Sequence, residues 1–188
     1  MSMAKRGADS RERLERAALE LYRDRGYGDV TAAEIAEHAG LTERTFFRHF
    51  ADKPEMLFAG GTAMEDLART AILASTDGAP LQRAMSGLQA VVPLFEDRLD
   101  LVRERQRIIA AHVDLQEREL SKRSRFSQAV AAALVDTGVD EAISSLAGAL
   151  SCVIFHDAFT QWVDGDCPDL TEAIARSASR VREVAAGV

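Results

Sequence analysis

The chain has 188 residues, 47% apolar and 28% charged, which is an ordinary globular balance with ample length to bury a core. Its formal charge of −7 is uneven: residues 1–60 hold ten Lys/Arg against eleven Asp/Glu, and residues 61–188 hold thirteen against nineteen. Cys152 and Cys167 lack CxxC spacing and Met1 to Arg25 has no apolar h-region, so neither a disulfide framework nor a secretion signal is expected, and a cytoplasmic location is.

From the N-terminus, a loose arm over Met1 to Ala8 is expected before a helix from about Ser10 to Arg25. Leu14, Ala17, Ala18, Leu21 and Tyr22 recur there at helical spacing, and Gly26 supplies the stop. Thr31 followed by Glu34 predicts a capping box that opens a second, short helix. Ala39-Gly40-Leu41 predicts a tight turn, and Thr42 is a good N-cap for a third helix with Phe46 and Phe50 as its apolar seam. Val30, Ile35, Ala36, Ala39 and Leu41 complete a three-helix core with them. A short, polar, partly basic helix braced by another is the shape that enters a DNA major groove, so the stretch reads as a DNA-binding helix-turn-helix.

A linking helix is predicted from Asp52-Lys53-Pro54-Glu55 towards Ala74, since proline is tolerated in a first turn. Ser75 to Pro80 is a breaker, and further helices are predicted near 81–95, 97–112, 115–136, 140–164 and 169–186. Pro93 would kink the first of these. Ala142 to Phe159 is apolar but carries Ser144, Ser145, Ser151, His156 and Asp157, which reads as a core helix and not a membrane span. The basic run Arg98, Arg103, Arg105 and Arg107 is interleaved with acids and reads as a solvated, self-paired face. No β-like alternation persists. The expected fold is all-α with about nine helices, divided into a DNA-binding domain over 1–52 and a helical regulatory and dimerisation domain over 53–188.

The reading stretch resembles the TetR family of bacterial transcriptional regulators. The resemblance rests on Gly26-Tyr27, Thr31, Ile35-Ala36, Ala39-Gly40-Leu41-Thr42, Thr45-Phe46-Phe47-Arg48-His49-Phe50, Lys53 and Leu57. Phe47 stands where the family usually has a tyrosine that touches a phosphate, which leaves only ring packing at that position. The resemblance implies a ligand-released homodimeric repressor on a palindromic operator.

Phosphate contacts are expected from the Thr31 hydroxyl, the Thr31 and Ala32 amides, Thr42 and Lys53, because helix N-termini carry partial positive charge. Base reading is expected from Glu43, Arg44, Thr45 and His49, with Arg44 suited to grip a guanine. Phe47 and Arg48 complete the expected surface, with a charge favouring the helix dipole as the alternative for Glu43 and a solvated or salt-bridged role as the alternative for Arg48, and Lys5 and Arg6 are expected on the same face as Arg44, Arg48 and Lys53. A hydrophobic small-molecule effector would have Phe58, Met64, Met85, Leu88, Val92, Phe95, Ile108, His112, Phe126, Val130, Phe155, His156, Phe159 and Trp162 as candidate lining. Each of these is also an ordinary core residue. Ile143, Ala147, Leu150, Ile154, Leu170, Ile174 and Val181 are candidates for a four-helix interface between two copies, with burial inside one subunit as the alternative.

An enzyme is not expected: GxSxG, GxxxxGK and HExxH are absent, and His156 and Asp157, as helix neighbours, diverge by about 100°. No cofactor or metal is implied. A helical small-molecule-binding or partner-docking module with a non-functional DNA head is the alternative reading.

Overall fold

The structure is a computed structural model that describes residues 3–58, 60–76 and 78–187, with side chains from Asp9 onward. It holds ten α-helices and, among the described residues, no strand. The chain forms two compact units: Met1–Ala59 with Asp100–Glu119, and Gly60–Leu99 with Leu120–Val188.

The first unit contains α1 (Met3–Arg25), α2 (Ala32–His38), α3 (Glu43–His49) and α4 (Lys53–Leu57), together with most of α7 (Leu99–Ala110) and the start of α8 (Val113–Val135). The expected arm is a correction, because α1 begins at Met3. Ala4, Lys5, Arg6 and Ala8 are strong helix formers that offset the roughly 1 kcal/mol cost of Gly7. The Lys5 and Arg6 side chains lie outside the described residues. Leu14, Ala18, Ile35, Phe46 and Phe50 are sealed in one core, which Ile108, Ile109 and Leu115 complete. The turn after α2 closes by two bonds, Gly40 N–H to Glu37 O (2.9 Å) and Leu41 N–H to Ala36 O (2.8 Å). With Gly40 at φ +64° this is a Schellman ending, which favours a residue without Cβ.

In the second unit α5 (Gly61–Ala74) packs on α6 (Pro80–Val91), α6 on α9 (Glu141–Asp164), and α9 on α10 (Leu170–Ala186). The linking helix expected over 52–74 is broken: α4 stops at Leu57 and α5 starts at Gly61, after Gly60 at φ +97°. The helix expected over 81–95 ends at Val91, because the missing N–H of Pro93 tightens the chain into 3₁₀ turns at Val92–Leu94 and Glu96–Arg98. Gly148 lets α8 approach α9 closely, since a Cβ there would stand 2.5 Å from the Ser127 carbonyl. Asp157 of α9 ties to α10 by accepting from the Ser177 hydroxyl (2.6 Å) and Arg180 (3.2 Å), and it also accepts from Gln161 (2.9 Å). By length and composition α9 is apolar enough to cross a membrane, yet its Ser144, Ser151 and Gln161 are buried against protein.

Candidate nucleic-acid interface

The three short helices of the first unit have ends fixed by side chains. Thr31 caps α2: its hydroxyl accepts from the Glu34 amide (3.3 Å), and Glu34 accepts from the Thr31 amide and hydroxyl (2.8 Å each). The Thr31 hydroxyl, then its amide, then Arg25 hold the Glu34 carboxyl down at about 2. The Thr31 amide is thus occupied by Glu34, so a phosphate there has to compete with a carboxylate. Ala32, first inside the helix, has an amide with no intrahelical acceptor. At the other end of α2, Arg13 donates to the Ala39 carbonyl (2.5 Å).

Thr42 caps α3 by accepting from the Thr45 amide (3.2 Å), with the two hydroxyls 3.0 Å apart. Phe46 and Phe50 anchor the helix from below, their ring centroids 5.5 Å apart. This rotation leaves Glu43, Arg44, Phe47 and Arg48 exposed and Thr45 and His49 half-buried. Phe47 is 52% exposed, a large apolar ring on an otherwise polar face. Burial, then Arg48 and Arg11, push the His49 pKa below its ordinary value, and the Arg48 guanidinium lies 3.4 Å from its ring nitrogen. Arg44 has no ion pair or hydrogen bond among the described residues, so its fork of donors is uncommitted.

Lys53 does more than the sequence suggests. Its ammonium donates to the Tyr27 carbonyl (2.7 Å) and the Val30 carbonyl (3.0 Å), and it sits 4.1 Å from the Tyr27 ring centroid. Burial lowers its pKa, against the pull of Asp114 and Asp29. It staples the loop between α1 and α2, and one of its three N–H donors is left over.

Sequence reasoning missed the part played by residues 100–119. Arg118 bridges Asp52 (3.0 Å) and Glu55 (2.9 Å) at the start of α4, and Asp52 is itself the N-cap that accepts from the Glu55 amide. Arg105 donates to the Leu57 carbonyl at the end of α4 and pairs with Glu119 (3.3 Å). The two guanidinium groups lie 5.2 and 5.8 Å from the Phe58 ring centroid. Arg105 is therefore no solvated member of a basic run: it is half-buried, and desolvation lowers its pKa against the pull of Glu119. Arg107, by contrast, does pair with Glu104 on its own helix. Nothing in a single sequence marks a pairing across 66 positions.

Three candidate pocket residues also belong to this unit. Ile108 is buried in its core, and the His112 ring stands 5.0 Å from that of Tyr27. Phe58 is buried there as well.

In the second unit Phe95, Phe126, Phe155, Phe159 and Trp162 do form one aromatic cluster, with neighbouring centroids 5.4–6.4 Å apart. Leu88, Val92 and Val130 are buried, Met64 and Met85 half-buried, and His156 faces outward. Of the residues expected between two copies, Ala147, Ile154, Leu170 and Ile174 are consumed by the subunit's own core, because α9 and α10 already pack on α6 and on each other. Leu150 and Val181 are half-buried. The apolar surface that remains on α9 is Ile143, Leu146 and Val153, exposed by 51%, 63% and 55%.

Residues 15–59 match the model of a family described as bacterial regulatory proteins, tetR family. The chain is 38% identical over 78 residues to the HTH-type transcriptional regulator TcmR of Streptomyces glaucescens, a match covering 42% of this chain and 34% of that protein. It spans about a third of the length of the curated relatives it matches. FadR of Thermus thermophilus, a TetR-family transcriptional repressor solved with lauroyl-CoA, shares the fold at a TM-score of 0.55 and 22% identity, over 90% of this chain and 91% of that one. A SmeT–triclosan complex shares it at 0.56 and 17% identity, over 91% and 90%.

Proposed function

We propose that the chain is a homodimeric repressor of the TetR family of bacterial regulatory proteins, released from a palindromic operator by a small molecule. The observation that carries this reading is α3, a helix braced from below by Phe46 and Phe50 that offers Glu43, an uncommitted Arg44, Phe47 and Arg48 outward. Base discrimination is assigned to Glu43, Arg44, Thr45 and His49. Thymine-methyl or sugar packing goes to Phe47. Phosphate contacts go to Arg48, the Ala32 amide, Thr31, Thr42 and the remaining Lys53 donor.

The exposed Ile143, Leu146 and Val153 stripe supports pairing of two copies through α9. Pairing would space two recognition helices by about 34–36 Å, one turn of the duplex. Residues 1–52 are assigned to reading and 53–188 to regulation and pairing, with 100–119 serving the head. The aromatic cluster favours a hydrophobic effector, and access to the chromosome places the protein in the cytoplasm.

The test is binding to DNA from the chain's own upstream region, followed by fluorescence anisotropy. Arg44→Ala is expected to cost about 1–3 kcal/mol and to relax preference at one base step per half-site. Unchanged affinity and preference remove Arg44 from the reading surface. Sedimentation as a monomer at micromolar concentration removes the dimer.

A further inference from the structure

Tyr27 lies in the loop between α1 and α2, just ahead of Thr31, and is only 8% exposed. Three groups meet its ring: Tyr22 of α1 edge-on at 5.1 Å, the Lys53 ammonium of α4 at 4.1 Å from the centroid, and the His112 ring at 5.0 Å, tilted by 55°. Because Lys53 also gathers the Tyr27 and Val30 carbonyls, ring and loop backbone share one anchor. Val30 runs directly into Thr31 and the first turn of α2, where the Ala32 amide has no intrahelical acceptor. Tyr22, Tyr27 and Lys53 fall within the family-matched residues 15–59, whereas His112 comes from the junction of α7 and α8. The His112 side chain has no hydrogen bond or ion pair among the described residues, so what it gives the head is its ring.

We propose that His112 is a positioning residue for the phosphate contact at the start of α2, acting through the Tyr27 ring and the loop behind it without touching DNA. Such a role rests on the DNA-reading function proposed above and adds a residue to it. Of the three ring partners, His112 is the stiff one. A lysine ammonium, at the end of a flexible aliphatic stem, follows the carbonyls it binds. Tyr22 fixes the ring only relative to α1, whose other hold on the loop, Arg25 on the Asp29 carbonyl (3.0 Å), is exposed. The His112 ring stands on backbone that is itself tied: its N–H donates to the Ile109 carbonyl (3.2 Å) and its carbonyl accepts from the Gln116 N–H (3.1 Å). Ile108, Ile109 and Leu115 on either side are buried in the head core. His112 thus ties the loop to a part of the core that α1 to α4 do not supply. That matters at Ala32, because a hydrogen bond weakens steeply once its angle falls below about 120°, so a small tilt of α2 removes the phosphate contact.

The test uses the full-length protein, DNA from the chain's own upstream region and fluorescence anisotropy at a series of salt concentrations. His112→Asn removes the ring, and asparagine is a strong N-cap, so α8 keeps its start. Operator affinity is expected to fall about fivefold, the weight of one ring contact. The salt slope is expected to flatten by about 0.9, the share of one phosphate, although His112 itself meets none. His112→Phe keeps a ring and is expected to restore both. Phenylalanine carries no charge, so its rescue also separates positioning from a direct phosphate contact by His112. Parent affinity and slope in His112→Asn, a loss of affinity at the parent slope, or no rescue by phenylalanine each overturn the proposal. Amide exchange over Thr31 to Ile35 is followed in the same three proteins without DNA, and is expected to speed up in the asparagine variant alone. Equal rates in all three overturn the hold on the loop. A parent that binds no duplex defeats the repressor reading, and the exchange arm still decides whether His112 holds the start of α2.

Discussion

The two units solve the problem of holding helices in place by different means. In the first, α2, α3 and α4 are seven, seven and five residues long, far below the length at which a helix persists alone. Each is fixed by named polar groups at its ends: Thr31 with Glu34, Arg13 on the Ala39 carbonyl, Thr42 with Thr45, and Asp52 and Leu57 under Arg118 and Arg105. In the second, helices of 12 to 24 residues rest on backbone proximity, with Gly87 against Ile72 and Ala68 and Gly148 against Ser127. A capped head is sensitive to loss of polar partners and indifferent to most surface change. A closely packed bundle is sensitive to added volume and indifferent to most caps.

The strongest challenge to that contrast is Phe46→Ala, expected to cost about 3–5 kcal/mol because the ring is fully buried. Amide exchange is expected to speed up across α2 and α3 while α9 and α10 keep their protection. Equal loss of protection in α9 would mean the units unfold together and the contrast has no thermodynamic content. Gly148→Val is the reciprocal case, with an expected cost of about 1–3 kcal/mol from overpacking, seen as a lower melting temperature carried by α8 and α9. Stability unchanged by that variant would show that α8 can retreat from α9.

Arg118→Gln sharpens the contrast at smaller cost. Its two half-exposed ion pairs are worth about 1 kcal/mol each at most, so the fold is expected to survive. Operator affinity is expected to fall with an unchanged salt slope, because Arg118 positions α4 and is not assigned a phosphate. A flatter slope would place it on the DNA. The smallest effect is a pH dependence. The Glu34 carboxyl is held at about 2 against an ordinary 4.5, so it favours the folded head above 4.5 and this contribution fades as pH falls towards 2. Glu34→Gln is expected to remove that segment of the acid-stability curve, and an identical curve would show that the capping box does not matter to the head.

The legible part of the sequence was the part governed by neighbours. Thr31 and Thr42 as N-caps, Gly40 in the turn, and Phe46 and Phe50 as the buried seam all lie within a few residues of the structure they fix, and the structure places them accordingly. The helix limits beyond residue 98 follow for the same reason, from Gly138, Gly165 and Pro168 between periodic runs. Contacts across long separations could not be read. Arg118 with Asp52, Arg105 with Leu57, and His112 against Tyr27 depend on where α7 and α8 begin in space. The division of α9 between core and surface was also hidden, because a helix apolar on every side has no phase to read. Ile154 and Ile143 look alike in the sequence and differ entirely in exposure.

The head is assembled from two separated stretches, and that has a practical consequence for anyone recombining relatives. A chimera joined after Ala59 would graft four helices but leave behind Ile108, Ile109 and Leu115 from their core and both arginines that grip Phe58. A transplant that is to keep the core of the first unit whole has to carry Asp100–Glu119 with it, as a second insert cut from the same donor.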